Sequence, residues 1–203
     1  MSAGGSPVDF YFEFSSPYGY IASCLAEDFE KRIGRPVRWR PMLLGPVFKL
    51  TGQAPLTQVP MKGEYSKKDF SRSARLHKVP FTQPANFPIF SVAPLRAFYW
   101  ASDRDAAQGR ALAKALYKAY FVEGHDISSP AQVLAVARSL GLDADALSKA
   151  FDDPALKERA KREVDAAIAS GVFGSPFFIV DGEPFWGVDR MPMLEDWIRR
   201  GGW

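Results

Sequence analysis

Ser16 is the residue of this chain whose type and position are best suited to chemistry. Ser15-Ser16-Pro17 ends an alternating, aromatic-rich run, and a helical pattern follows it, so Ser16 is predicted to cap a helix that begins at Pro17. The N-terminus of a helix has unpaired N–H groups and about half a positive charge, and it therefore stabilises an anion. A hydroxyl there could donate to a bound thiolate, while the helix lowers the pKa of that thiol. The alternative is that Ser16 only caps the helix.

Few other residues offer reactive groups. The single cysteine, Cys24, excludes an intramolecular disulfide and a multi-cysteine zinc site, and it is predicted to be a small buried residue. Two histidines, His77 and His125, leave little material for a metal site or a Ser-His-Asp triad, so no metal is predicted. The net charge of +3 is spread along the chain, which indicates a solvated basic surface and no nucleic-acid partner.

The composition predicts a folded domain in a reducing compartment. The chain has 203 residues, of which 47% are hydrophobic and 24% charged, close to the average for globular proteins. Residues 1–7 lack the basic and apolar regions of a secretory signal, and no apolar run approaches the ~20 residues of a membrane span. We therefore expect a soluble, cytoplasmic protein without a membrane partner.

The elements around Ser16 follow from hydrophobic periodicity. Phenylalanines alternate with other residues over 8–14, which predicts a strand with one apolar face. A helical pattern then ends at Gly34, and residues 36–41 alternate again. If the two strands are parallel, this is a right-handed strand-helix-strand crossover.

The rest of the chain is predicted to be helical until its C-terminal part. Residues 44–94 are rich in proline and glycine and contain one clear helix over about 62–77. Further helices follow, one with capping-box spacing at Ser129 and Gln132 and one opened by Asp153-Pro154. The chain ends with a hairpin over 177–186 and a helix over about 191–200. A proline in the second strand of the hairpin predicts that this strand lies at an edge of the sheet or that the proline falls in a gap of its pairing. This order predicts an α/β fold interrupted by a helical insertion.

That order resembles the thioredoxin fold with an inserted helical domain, as in disulfide-bond oxidoreductases. The resemblance divides the chain into a thioredoxin-like domain, 8–43 and 172–203, and a helical insertion domain, 44–171. In that fold the first helix opens with Cys-Pro-x-Cys, whereas this chain has Ser16-Pro17-Tyr18-Gly19. Because dithiol–disulfide exchange needs two thiols, this chain cannot perform it there.

Serine at that position is found in the kappa-class glutathione transferases and the bacterial 2-hydroxychromene-2-carboxylate isomerases. Five segments resemble those proteins in the same order, and they are 9–18, 44–49, 60–65, 173–178 and 186–191. One segment departs from the isomerase pattern, because Phe90 stands where Phe-Pro-x-Asn-Ser has its asparagine. The departure concerns the particular substrate more than glutathione binding.

The resemblance implies glutathione as cofactor and Ser16 as the catalytic residue that holds its sulfur as a thiolate. The residues implied to bind glutathione are Ser16, Pro17, Tyr18, Gln53, Ser175, Pro176, Gly187, Val188 and Asp189. Among them, Pro176 would be cis, the backbone of Ser175 would bind the cysteinyl part, and Asp189 would pair with the γ-glutamyl ammonium. The residues assigned to the substrate side are Lys49, Lys62, Phe87 and Phe90.

Simpler roles stay open for several of these residues. Most X-Pro bonds are trans, Asp189 could cap the last helix, and exposed lysines are usually only solvated.

We therefore predict a glutathione-dependent isomerase that acts on a small aromatic carboxylate in aromatic-compound catabolism. In that family, reversible thiolate addition turns a double bond into a rotatable single bond, and elimination restores it. The alternatives are a kappa-class transferase that releases the conjugate and a non-catalytic binding protein of thioredoxin fold. The resemblance also implies a homodimer.

Overall fold

The computed structural model describes residues 5–203. Residues 1–4, part of the segment predicted to carry no secretory signal, lie outside that range. The strands are β1 Val8–Phe12, β2 Val37–Pro41, β3 Phe177–Val180 and β4 Glu183–Trp186. The helices are α1 Pro17–Ile33, α2 Leu44–Thr51, α3 Lys62–Leu76, α4 Val92–Ser102, α5 Ala106–Phe121, α6 Pro130–Ser139, α7 Ala144–Ala150, α8 Pro154–Ala169 and α9 Met191–Arg200. Short 3-10 helices occupy Leu56–Gln58 and Val188–Arg190.

The strands form one sheet in the order β2-β1-β3-β4. β1 and β2 are parallel, so α1 is the predicted crossover helix, whereas β3 is antiparallel to both β1 and β4. Asp181 and Gly182 have φ values of 50° and 88°, as a two-residue turn between antiparallel strands requires. Pro184 lies in the edge strand β4, as predicted. The α/β fold with a helical insertion between β2 and β3 is thus confirmed.

β1 is buried on both faces, so the prediction of a single apolar face was wrong. On one face Phe10 stacks on Phe178 with ring centroids 5.0 Å apart. On the other, Tyr11 is only 6% exposed, because it packs with Val47 of α2 and Ala167 of α8. Helices on both sides of the sheet therefore exclude water from the strand that leads to Ser16.

The inserted helices share a core with the sheet. Tyr117 of α5 contacts Phe12 and Phe14 with ring centroids 5.8 and 5.2 Å apart, and Phe98 of α4 packs edge-on against Phe12. The division at 44 and 171 into two domains stays a prediction. Within the described part of the chain, no helix is long and apolar enough to cross a lipid bilayer.

Three local predictions were wrong. α2 was not predicted, because Gly45 and Pro46 stand in its first turn. Ser129 does begin α6, but its side chain makes no cap bond, and the Gln132 amide lies 2.9 Å from His125 Nδ1 instead. Cys24 is exposed on α1 and not buried.

Candidate functional site

Ser16 caps α1 and also reaches across to the loop before β3. Its extended backbone (φ −90°, ψ 114°) lets Oγ accept a hydrogen bond of 3.0 Å from the Gly19 N–H, as in an ordinary N-cap. The same hydroxyl donates to the Ser175 carbonyl oxygen, 3.0 Å away. The predicted cap is confirmed, and the capping residue also lies beside the loop that the family resemblance singles out.

Backbone N–H groups on both sides of the Ser16 hydroxyl are without a hydrogen-bond partner among residues 5–203. They belong to Tyr18, in the first turn of α1, and to Ser175, which is only 8% exposed. The first-turn N–H of Tyr18 is free as in any helix, whereas nearly every backbone N–H as buried as that of Ser175 is paired in folded proteins. Both are therefore positions for a ligand acceptor. The Ser175 N–H and carbonyl match the acceptor and donor of an extended peptide, and the Tyr18 N–H at the positive end of α1 suits an anionic sulfur.

The loop before β3 has the cis-proline that the resemblance implies. The Ser175–Pro176 bond is cis. The Ser175 Oγ accepts from the Glu13 N–H at 2.9 Å, and the Pro176 carbonyl accepts from the Gly187 N–H at 3.0 Å. These bonds bring the 175–176 loop, the end of β1 and the segment after β4 to one place.

Asp189 lies over Gly187 and does not cap the last helix. Gly187 has a φ of 112°, and a Cβ built there would lie 2.4 Å from Asp189 Oδ1, so this position requires glycine. The N-cap residue of α9 is Arg190, whose Nη1 donates to Asp189 Oδ2 at 2.7 Å. The Asp189 carboxylate is exposed, and Val188 beside it is buried.

Gly19 corresponds to the second cysteine of the Cys-Pro-x-Cys motif, and its position has no room for a side chain. A Cβ at Gly19 would lie 2.6 Å from Ser175 Oγ and 2.8 Å from the Tyr117 hydroxyl oxygen. Both of those groups are held in hydrogen bonds, so neither moves freely. The site therefore lacks the two thiols and also the space for the second one.

Tyr18 ties the first turn of α1 to α3. Its hydroxyl donates to Asp69 Oδ2 at 2.5 Å, and Arg72 pairs with the other oxygen of that carboxylate at 2.8 Å. Burial, together with the Asp69 carboxylate, raises the pKa of Tyr18, so the phenol stays protonated.

Glu13 is a component of the site that the sequence analysis did not identify. Its carboxyl accepts from the Ser15 N–H at 2.8 Å and from the Ser91 hydroxyl. Burial raises the pKa of Glu13 to about 7, although the Ser91 and Ser15 bonds act in the opposite direction. An acidic residue between Phe12 and Phe14, three positions before Ser16, was the available signal.

The residues assigned to the outer part of the site are less closely tied to Ser16. Gln53, Lys49 and Lys62 are exposed, and none of them bonds to the Ser16 turn within the range 5–203. Phe87 is half-buried against Phe70, and Phe90 is 90% exposed.

The segment that contains Phe87 and Phe90 is attached to the turn that contains Ser16. The Ile89 N–H donates to Ser15 Oγ at 3.0 Å. An apolar edge therefore lies next to the serine turn.

Comparisons with known proteins agree with this arrangement. Residues 7–199 match the family model described as a DSBA-like thioredoxin domain. A 2-hydroxychromene-2-carboxylate isomerase of Sphingobium xenophagum is 32% identical over 197 residues, covering 94% of this chain and 97% of that protein. The glutathione S-transferase kappa 2 of Caenorhabditis elegans is 28% identical, covering 94% and 91%. A solved structure of a 2-hydroxychromene-2-carboxylate isomerase superposes with a TM-score of 0.85 at 31% identity, covering 95% of this chain and 94% of that one.

Proposed function

The chain belongs to the DSBA-like thioredoxin-domain family, and we propose that it is a glutathione-dependent isomerase of the 2-hydroxychromene-2-carboxylate type. Its relatives are isomerases and glutathione transferases, so it is an enzyme of this family. The observation that carries the proposal is Ser16 at the N-terminus of α1, with its hydroxyl 3.0 Å from the carbonyl that precedes cis-Pro176. A hydroxyl there could donate a hydrogen bond to a bound thiolate, whereas the cysteine of an exchange enzyme attacks a disulfide as a nucleophile.

The residues around Ser16 fit a γ-glutamyl tripeptide. The Ser175 N–H and carbonyl would bind the peptide backbone of its cysteinyl part. The Asp189 carboxylate and the Val188 backbone would bind the γ-glutamyl end through a charge-assisted contact with the ammonium. Gln53, at the end of α2, would contact the tripeptide with its amide.

Bound glutathione would supply a thiolate for reversible addition to a conjugated carbon of the substrate, which would turn a double bond into a rotatable single bond until elimination restores it. The contribution of the chain is to hold that sulfur as an anion. The Ser16 hydroxyl has one proton, which it donates to the Ser175 carbonyl in the structure, and it would turn that proton toward the sulfur. The Tyr18 N–H and the positive end of α1 would add to the stabilisation of the anion.

The substrate side is proposed to accept a small aromatic carboxylate. Phe87 and Phe90 would contact the ring, because their segment is attached to the serine turn. Lys49 and Lys62 would offset the carboxylate. A conjugating transferase is the second candidate, and the exposed Phe90 favours it, since an apolar side chain suits an electrophile that lacks the polar group an asparagine would bind.

The test is conversion of 2-hydroxychromene-2-carboxylate, followed by absorbance, with total free thiol measured in parallel. We expect conversion only in the presence of glutathione and no net loss of thiol. Loss of one thiol per product would instead support the transferase. Absence of glutathione binding by calorimetry would overturn both and leave a binding protein. Sedimentation equilibrium tests the homodimer that we propose from the resemblance.

A further inference from the structure

The Glu13 carboxyl lies directly behind the turn that presents Ser16. It is only 7% exposed, and one oxygen accepts from the Ser15 N–H at 2.8 Å while the other accepts from the Ser91 hydroxyl. These contacts place the carboxyl between the end of β1 and the N-terminus of α4. A buried carboxyl so close to an anion site requires an explanation that helix capping does not supply.

Ser16 and Ser175 form the sulfur site, where the glutathione sulfur is proposed to bind, and both of them bond to the backbone of Glu13. The Glu13 carbonyl accepts from the Ser16 N–H at 2.9 Å and from the Tyr117 hydroxyl at 2.9 Å. The Glu13 N–H donates to Ser175 Oγ at 2.9 Å. A shift of the backbone at Glu13 would therefore move Ser16 and Ser175 together.

The surroundings of the carboxyl contain no compensating cation among the described residues. The titratable groups that face it are Tyr117 and Tyr120 of α5, and burial raises the pKa of each, so they stay neutral. Ser91, just before α4, donates its hydroxyl to the carboxyl, whereas Ser175 of the 175–176 loop bonds to the backbone N–H of Glu13. Since no Lys, Arg or His side chain bonds to Glu13 within residues 5–203, a charge on it would be poorly compensated.

We propose that Glu13 is a positioning residue that controls the charge of the sulfur site, so that its neutral form permits thiolate binding at Ser16 and its ionised form weakens that binding. This rests on the proposed function. Two negative charges in one poorly solvated region disfavour each other, whereas the N-terminus of α1 favours a single anion. Ionisation of Glu13 would therefore raise the pKa of the bound thiol, and a rise of one unit makes the preference for the thiolate tenfold weaker.

The test is a titration of the thiolate absorbance of bound glutathione in the wild type, in Glu13→Gln and in Ser91→Ala. Glutamine keeps the shape of Glu13 and its acceptor for the Ser15 N–H, and its amide can donate to Ser91. We expect the wild-type thiol to titrate over a wider pH range than one ionisation gives, because Glu13 ionises near pH 7 in the same range. In Glu13→Gln the thiol should titrate in one step and at a lower pKa.

Ser91→Ala provides a second variant that leaves Glu13 in place. The Ser91 bond lowers the pKa of Glu13, so its loss should keep Glu13 neutral to higher pH and should also lower the pKa of the bound thiol. If Glu13→Gln does not fold, this variant decides. Titrations that coincide in all three proteins would overturn the proposal, and so would loss of the thiolate signal in a folded Glu13→Gln. If the wild type binds no glutathione, the proposed function falls as well, which separates the two failures.

Discussion

The Ser16 hydroxyl caps α1 and is proposed to bind a thiolate, and these two functions use different parts of the group. Its oxygen accepts from the Gly19 N–H, which stabilises α1, and its single proton is donated to the Ser175 carbonyl. A sulfur anion would accept a hydrogen bond from the hydroxyl while the cap bond stays in place, because the cap uses a lone pair of the oxygen. Capping and thiolate binding are therefore compatible, although the sequence alone presents them as alternatives.

Ser16→Ala separates the two functions by magnitude. Loss of the cap should lower the free energy of unfolding by about 1 kcal/mol. Loss of a preorganised donor to an anion should lower turnover with glutathione by roughly a hundredfold or more. Urea unfolding and the isomerase assay measure the two effects on the same preparation.

Ser129→Ala is the matched control, because Ser129 also stands at an N-cap position before a proline. Its side chain makes no cap bond, so we expect both stability and turnover to stay near the wild-type values. Near-wild-type activity of Ser16→Ala would restrict Ser16 to capping.

At the scale of the element, the first turn of α1 should lower the pKa of the bound thiol. The Tyr18 N–H and the helix dipole are favourable to an anion, and a thiol pKa lowered by two units corresponds to about 2.7 kcal/mol of preferential thiolate binding. In Glu13→Gln, where ionisation of residue 13 does not oppose the thiolate, glutathione should therefore bind more tightly as pH rises through the lowered pKa, until the pKa of the free thiol is passed. Ultraviolet titration of the complex measures the pKa of the bound thiol. Ser16→Ala should retain only the part of the pKa shift that the helix supplies. A bound pKa equal to that of free glutathione would show that this turn does not activate the thiol.

The same turn also has no room for the second thiol that dithiol–disulfide exchange would need. Gly19→Ala should destabilise the fold by about 1 kcal/mol, since the overlap of its Cβ with Ser175 Oγ and the Tyr117 hydroxyl outweighs the helix preference for alanine. Gly45→Ala in α2 is the control, because a Cβ there meets nothing within 4 Å and should be neutral or stabilising. Urea unfolding compares them, and a Gly19→Ala variant as stable as Gly45→Ala would show that the turn has room.

Consistently, Ser16→Cys should not catalyse reduction of a protein disulfide, as no resolving thiol stands beside it.

Elements with local signals were predictable, and those that depend on distant packing were not. The periodicity of α1 and the Asp181-Gly182 turn are written within a few residues, and both are where the pattern places them. The second buried face of β1 depends on α2 and α8, which a strand pattern does not contain. Likewise the Ser16 cap was predictable from Ser-Pro, whereas its bond to Ser175, 159 residues away, was not. The family resemblance implied only that both residues bind the same glutathione.

At the scale of the whole molecule, charged side chains tie the sheet to the inserted helices. Arg40 of β2 donates to Asp9 of β1 at 2.8 Å and to Glu163 of α8 at 2.9 Å, and its side chain is 23% exposed. Arg159 continues the network from Glu163 to Asp103, after the end of α4. Because the network joins segments far apart in sequence, its loss should affect cooperative unfolding more than any surface pair.

Burial alone would raise the pKa of Asp9, but hydrogen bonds from Arg38 and Arg40 outweigh it and leave that pKa below the ordinary 3.8. A lowered folded-state pKa contributes stability at pH values above the unfolded one, and that contribution is lost as pH falls through the folded value. Arg40→Gln should therefore lower the free energy of unfolding by about 2 kcal/mol at pH 7 and by less in acid, where Asp9 is protonated in both proteins. Lys161→Gln, which breaks an exposed pair with Asp165 on α8, should lower the free energy of unfolding far less than Arg40→Gln, and its effect should disappear in high salt. Urea titrations at neutral and acid pH measure the differences, and equal losses in the two variants would mean that the network adds nothing to the tie between sheet and helices.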